Sequence, residues 1–233
     1  MTEASAREAK VRKEYDDFAY IVSHDLSASL RHIKTFTRLL IAEHQETLSD
    51  EEKEYVYFLE QGLHNLEEMQ NALLIFSRLN TRAAPLEPCD CNEIARNALK
   101  KLSGVIQKTD PIINTADLPT VMADAGQLST LFYNILENAL KFRAEDGPAP
   151  EITIDSQKIG SAWQFTITDN GIGIEEAFLG DVFRMFRRLH PNTYPGIGAG
   201  LTICKKIVER HDGKIHLEPA KDKGISVIFT LPA

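Results

Sequence analysis

Two short glycine clusters in the second half of the chain limit what it can fold into: Asp169-Asn170-Gly171-Ile172-Gly173-Ile174, and downstream Gly196-Ile197-Gly198-Ala199-Gly200-Leu201. The first follows the alternating stretch 162–168, which reads as a strand. Asp169 then sits at a strand end, and the glycines let the backbone pass close to a ligand. A carboxylate there can accept a hydrogen bond from an exocyclic amine such as that of adenine. The second cluster opens a helical pattern. Unpaired N–H groups at a helix start, together with the helix dipole, favour phosphate oxygens. One end of the expected ligand is a base and the other an anion. Either loop alone also reads as a plain turn or a tight connection.

Two further segments carry polar residues where a phosphate and metal site needs them. Residues 128–142 place Leu128, Leu131, Phe132, Ile135, Leu136, Ala139 and Leu140 on one helical face. Asn134, Asn138 and Lys141 fall on another stripe. An amide oxygen is a hard ligand suited to magnesium and lysine neutralises phosphate, so Asn138 and Lys141 can serve one nucleotide. The other reading is an ordinary solvated face. Residues 183–190 then combine Phe183 and Phe186 with Arg187, Arg188 and His190, in a loop able to close over a ligand.

In this order the segments resemble the catalytic, ATP-binding domain of sensor histidine kinases, in the superfamily that includes Hsp90, type II topoisomerases and MutL. Residues 134–142 resemble the N box, 169–174 the first glycine box, 183–190 the F box and 196–201 the second glycine box. Four spaced motifs are far more specific than one glycine pattern. The resemblance covers roughly 88–233 and extends into the helix and turn that follow the second glycine box. It implies ATP and Mg2+ as cofactors. Asp169 would recognise adenine, Asn138 would hold the metal, and Lys141, Arg188 and the glycine amides would handle phosphates. The full binding set it implies is Asn134, Asn138, Lys141, Asp169, Gly171, Gly173, Phe186, Arg188, Gly196, Gly198, Gly200 and Leu201.

The first half separates a kinase from a chaperone or repair ATPase. Residues 18–31 resemble the H box, in which a histidine takes phosphate from ATP and its acidic neighbour assists. Val22, Leu26, Ile33, Phe36 and Leu40 form one apolar seam with near-heptad spacing. His24 lies about 200 degrees round the helix from two of its members, facing solvent. A neutral imidazole is nucleophilic near neutral pH, and Asp25 on its other nitrogen can fix the tautomer, stabilise the developing cation or act as a general base. The remaining histidines, His32, His44, His64, His190, His211 and His216, lack this combination of adjacent acid, opposite seam and matching flanks.

A second long helical pattern spans 51–80, with Leu59, Leu66 and Leu73 at heptad intervals and Tyr55, Met69 and Phe76 completing the stripe. Residues 46–52 supply a turn and a Ser or Asp cap with acids in the first helical turn. The result is a helical hairpin with too little core for both stripes, so pairing with a second copy into a four-helix bundle is the natural solution. The other possibility is packing on the chain's own globular half. The fold class is therefore α+β: an antiparallel hairpin forming a dimeric four-helix bundle, then an α/β sandwich of the Bergerat type. The domains read as 1–82 for dimerisation and histidine phosphotransfer, 83–87 as linker, and 88–233 as the ATP-binding domain. Within the last, 91–108 reads as helix, 112–115 and 121–122 as strands, 127–142 as helix. Strands are then expected at 151–156, 163–168, 214–218 and 225–231, with helices on one face of the sheet.

The 233 residues, 43% hydrophobic, allow two modest cores, and the net charge of −8 with no basic, aromatic-interleaved stripe argues against nucleic acid. No apolar run reaches membrane-spanning length and no signal peptide is visible, so a cytoplasmic, soluble protein is expected. The three cysteines, including Cys89 and Cys91, read as ordinary thiols. Residues 4–17 read as the stub of a signalling helix, with an upstream sensor domain or a sensor partner expected. Ser29 stands where many such kinases have proline, and Ala28 where some carry a threonine or asparagine that orients water for dephosphorylation, so weak phosphatase activity is expected.

The leading reading is an ATP-dependent protein histidine kinase that autophosphorylates His24 and donates the phosphoryl group to an aspartate of a response regulator receiver domain. A phytochrome-like subgroup lies within the resemblance. The alternatives are a non-enzymatic dimeric phosphotransfer adaptor with a relic ATP domain, and a chaperone- or repair-type ATPase using Glu137 beside Asn138.

Overall fold

The structure, a computed structural model, describes residues 26–44, 46–81, 84–144, 147–191, 193–221 and 223–233. His24 and Asp25 lie outside the described residues, as do Val22 and most of the H box. The chain divides into two compact units between Thr81 and Arg82.

In the first unit, helix α1 is described over 26–44 and α2 runs Asp50–Thr81. Ser49 caps α2 reciprocally with Glu52: the Glu52 carboxylate accepts from the Ser49 N–H and hydroxyl at 2.8 Å, and the Ser49 hydroxyl accepts from the Glu52 N–H at 3.3 Å. Backbone donation from Ser49 holds the Glu52 carboxyl below its usual range. The two helices meet along a line containing Ser27, Leu30 and Lys34. The Gln70 amide donates to the Ser27 hydroxyl, Lys34 pairs with Glu67 at 2.6 Å, and Leu30 and Ala72 are buried. Of the apolar stripes expected from periodicity, Met69, Leu73 and Phe76 are half-buried. Leu26, Ile33, Phe36 and Leu40 on α1, and Tyr55, Leu59 and Leu66 on α2, are all exposed. Among the described residues the two helices therefore meet along a more polar line beside the apolar seam, because heptad spacing identifies a stripe and not its partner.

The second unit is an α/β sandwich. After β1 (Glu87–Asp90) come α3 (Cys91–Lys101), α4 (Ser103–Thr109), β2 (Ile112–Thr115), β3 (Thr120–Ala123) and α5 (Ala125–Lys141). Then follow β4 (Glu151–Ile159), β5 (Ala162–Asp169), two single 3-10 turns, α6 (Gly200–Arg210), β6 (Ile215–Pro219) and β7 (Ile225–Pro232). Five strands form a mixed sheet in the order β2-β4-β5-β7-β6, with β2 parallel to β4 and the other pairs antiparallel. Along β4, buried Ile152 and Ile154 alternate with exposed Glu151, Thr153 and Asp155, so one sheet face is wet and the other carries the core. On the core face Phe165 stacks on Phe229 at 4.9 Å, and Phe132 of α5 meets both rings edge-on at about 6 Å. All three rings are fully buried, each contributing roughly 1.5–3 kcal/mol.

Two sequence expectations need correction. Residues 83–87 are not wholly linker, because Glu87 begins a strand that pairs antiparallel with β3 in a separate two-stranded sheet. Pro88 disguises it, and is tolerated because β1 has only one strand neighbour. The helix expected over 91–108 is two helices. Leu102 leaves helical geometry at ψ 6 while its side chain stays buried, and α4 ends at Asp110 in the left-handed region, φ 44. The three cysteines are free thiols, and all are buried. Asp90 between two of them caps α3 by accepting from the Asn92 N–H at 2.8 Å.

Candidate functional site

The alternating residues of β5 deliver Asp169 to the strand's end, where its Oδ1 accepts hydrogen bonds from the Gly171 N–H at 2.8 Å and the Ile225 N–H at 3.3 Å. Burial pushes this carboxyl up to about 6, the two amide donors opposing. One oxygen is thus fixed by the backbone, leaving Oδ2 for an outside donor. Gly171 has no room for a side chain: a Cβ there would lie 2.3 Å from the Phe142 carbonyl. The next amide, of Ile172, donates to that same carbonyl at 2.9 Å, which ties the first glycine loop to the end of α5. Gly173 has φ 76 and lies against Gly224, whose own Cβ would strike the Asp169 carbonyl at 2.0 Å. Gly224 and Ile225, on the turn entering β7, belong to this site although nothing local in the sequence marks them. The only hint is a glycine following a charged turn.

The second glycine loop meets α5 at two points. Gly200 has the Asn134 Oδ1 3.2 Å from its Cβ position, and Gly196 has the Lys141 ammonium at 3.3 Å. Asn134 also donates to the Thr130 carbonyl at 2.9 Å. Helices α3 and α5 start on aspartate caps, but α6 starts at Ala199 without a side-chain cap, with Gly200 and Leu201 in its first turn. Its first N–H groups are therefore not taken by a capping side chain. Lys141 is held beside this loop over the Phe142 ring at 4.6 Å. Burial lowers its pKa, Glu137 raises it, and Arg188 lowers it further, so two cations stand where an anion would relieve both.

The F-box segment wraps the same loop. The Phe186 N–H donates to the Gly198 carbonyl at 2.9 Å with Phe186 at φ 63, and a Cβ on Gly198 would lie 2.5 Å from the Arg187 carbonyl. The Thr202 hydroxyl, in the first turn of α6, donates to the Phe183 carbonyl at 2.9 Å. Arg188 turns its guanidinium onto the carbonyls of Pro191 and Tyr194, closing the segment on itself. A further ring anchor, not foreseen from the sequence, is Tyr194, which packs on Phe142 at 5.1 Å and donates to the Arg143 carbonyl at 2.7 Å.

All four boxes therefore join in the second unit, and the binding residues named from the sequence in that unit are brought together around α5, the β5 end and the start of α6. Asn138 makes no side-chain hydrogen bond among the described residues and is half-buried on the stripe of Lys141. One amide oxygen, with no cluster of carboxylates and histidines among the described residues, fits a magnesium ion that completes its shell with phosphate oxygens and water. A separate cavity of about 400 Å³, lined by Arg143, Thr153, Thr168 and Lys221, touches Asp169 from the wet face of the sheet and contains none of the phosphate-handling residues.

A mixed sheet backed by helices, with a buried strand-end aspartate and an uncapped glycine-rich helix start, defines a Bergerat-type nucleotide-binding domain. Residues 123–233 match the family model for histidine kinase-, DNA gyrase B-, and HSP90-like ATPases. The chain is 36% identical over 220 residues to Cyanobacterial phytochrome A of Nostoc sp., covering 94% of this chain and 28% of that protein. It is 36% identical over 216 residues to the phytochrome-like protein Cph1 of Synechocystis sp., covering 92% and 29%. The chain thus spans under a third of these curated relatives. Full-length ShkA, solved in complex with AMPPNP, shares the fold with a TM-score of 0.69 at 24% identity, over 93% of this chain and 45% of that one. Over nearly its whole length the chain thus resembles part of the phytochrome-like sensor histidine kinases, and residues 123–233 carry the histidine kinase-, DNA gyrase B-, and HSP90-like ATPase domain. Among the described residues no helix is long and apolar enough to cross a membrane.

Proposed function

We propose that this chain is the ATP-dependent kinase portion of a phytochrome-like sensor histidine kinase, which autophosphorylates His24 and donates the phosphoryl group to an aspartate of a response regulator. The observation that carries this reading is the convergence of the four boxes. A carboxylate with one oxygen left for a base amine, a lysine and an arginine beside an uncapped helix start, and an amide oxygen for magnesium lie in one unit. When bound, Mg2+ would neutralise charge on the phosphates and help orient them. Asp169 Oδ2 accepts from the exocyclic amine of adenine, and the Gly196, Gly198, Gly200 and Leu201 backbone, with Lys141 and Arg188, receives the phosphates. Gly171 and Gly173 keep the base side open, and Phe186 and Asn134 shape the loop between. Arg188 leaves the carbonyls of Pro191 and Tyr194 to reach the phosphate.

An imidazole nitrogen of His24 forms the new bond to the γ-phosphorus, and the bond from that phosphorus to the bridging oxygen breaks, so ADP leaves with the electron pair. The adjacent acid, Asp25, takes the role of stabilising the positive charge that develops on the ring. The phosphoryl group then passes from nitrogen to a carboxylate oxygen of the receiver. The exposed stripes of the hairpin support a homodimer with a four-helix bundle, since Phe36 and Leu40 on α1 and Leu59 on α2 otherwise remain in water. The domain roles follow: the hairpin dimerises and accepts, the short stretch before β1 tethers, and the second unit binds ATP. A cytoplasmic location supplies ATP, and an upstream sensor supplies the input.

The test is incubation of the chain and of His24→Ala with γ-labelled ATP and magnesium, followed by acid and base treatment. Acid-labile, base-stable label on the wild type alone is the expected result. Equal label on both would move the acceptor elsewhere, and hydrolysis without label would favour the chaperone-type ATPase.

A further inference from the structure

Asp124 is buried at 5% exposure, precedes α5, and is absent from the nucleotide set. Its Oδ1 accepts from the Gly126 and Gln127 N–H groups, both at 3.1 Å, an ordinary helix cap. Its Oδ2 does something a cap does not require: it accepts from the Ala84 N–H at 2.9 Å. Ala84 lies three residues after Thr81, the last residue of α2, and so at the start of the tether's attachment to the second unit. The Asp124 N–H donates to His211 Nε2 at 3.0 Å, while His211 Nδ1 donates to the Ile207 carbonyl at 2.8 Å, the tautomer this pairing requires. Arg210 Nη1, buried and without a hydrogen-bond partner among the described residues, stands 3.9 Å from Asp124 Oδ2 and balances its charge. One carboxylate thus fastens the incoming tether to the first turn of α5 and the last residues of α6. These are the two helices whose far ends hold Asn138, Lys141 and Gly200. Asp124 lies about 20 Å along α5 from Asn138, too far to touch nucleotide.

We propose that Asp124 is a positioning residue: through Ala84 it fixes where the tether leaves the ATP domain, and so sets the rate at which that domain delivers phosphoryl to His24 without contributing to ATP binding. The role rests on the kinase reading above. Delivery demands near-ångström placement of donor against acceptor, so a tether released at its root slows transfer more than it weakens binding.

Asp124→Asn separates the two functions of the side chain. Asparagine caps as well as aspartate, and two donors hold its single oxygen at the cap, so an NH2 then faces the Ala84 N–H and cannot accept. Ala84→Pro removes the donor and leaves Asp124 untouched. In the full chain, both variants are expected to autophosphorylate about tenfold more slowly at saturating ATP. The KM for ATP and the affinity for a fluorescent nucleotide should stay at the wild-type values. Wild-type rates in both variants would overturn the proposal, and so would a loss of nucleotide affinity matching the loss of rate, which would make Asp124 a structural cap only. No phosphohistidine on the wild type would sink the kinase reading and the delivery role with it, an outcome distinct from normal labelling in all three proteins.

Discussion

The hairpin and the ATP domain solve the burial problem in opposite ways. The domain closes its own core: Phe132, Phe165 and Phe229 meet ring to ring and none reaches solvent. Among its described residues the hairpin does not. Its helices touch through Leu30, a lysine–glutamate pair and a serine–glutamine contact, while Phe36 is 63% exposed and Leu59 56%. A unit that buries its large side chains is stable at any concentration, whereas one that leaves them out gains stability from a partner surface, in the proposed function a second copy. On the proposed function the self-sufficient unit would carry the donor and the unit with exposed apolar stripes the acceptor.

The largest effect should come from Phe165→Ala. Removing the ring that stacks on Phe229 is expected to cost 3–5 kcal/mol, roughly, and to abolish the domain's calorimetric transition while leaving the helical signal of the hairpin. If both units melted together, the two would not be independent. Next, Phe36→Glu with Leu40→Glu should weaken self-association at least about a hundredfold by sedimentation equilibrium, each large apolar side chain being worth roughly 1.5–3 kcal/mol. The domain's melting temperature should not move, and an unchanged association constant would remove the stripe from the dimer.

Within the domain, Asp169→Asn turns the free oxygen into a donor facing a donor amine. ATP affinity should fall about ten- to a hundredfold, or 1.4–2.8 kcal/mol. The sign for stability is opposite. A carboxyl raised from 3.8 to about 6 by burial stabilises the folded state at low pH and loses that contribution as pH rises through 6, on the order of 3 kcal/mol. The variant should therefore be more stable than the wild type at pH 7 without nucleotide, a trade of stability for binding. By the same carboxyl, ATP binding to the wild type should strengthen between pH 5 and 7, because the protonated Oδ2 cannot accept, and titration calorimetry in two buffers near pH 6 should show proton release on binding. A pH-independent affinity would remove Asp169 from base recognition. The smallest effect is Ser49→Ala, which breaks the reciprocal cap of α2 and should cost about 1 kcal/mol of hairpin stability alone.

The same contrast governs what the sequence could show. All seven apolar positions expected on the helix before the first glycine loop are buried, since a helix packed against its own sheet reveals its inner face by period alone. The four boxes were visible because their glycines and polar residues sit close together along the chain. The contacts that complete them were not: Gly224 and Ile225 reach Asp169, and Asp124 reaches Ala84 and His211, only through the sheet's closure. β1 was hidden by Pro88, and the polar line along which the two helices meet was not foreseen, because heptad period marks the apolar stripe and not the contact beside it.

The most direct measurement is phosphorus NMR of the wild-type chain after incubation with ATP and magnesium, at alkaline pH where a nitrogen–phosphorus bond survives. A phosphoramidate resonance present in the wild type, lost in His24→Ala and passed on when a receiver domain is added is the expected result. ADP and inorganic phosphate appearing with no such resonance would contradict the account and leave a nucleotide-hydrolysing domain attached to an idle hairpin.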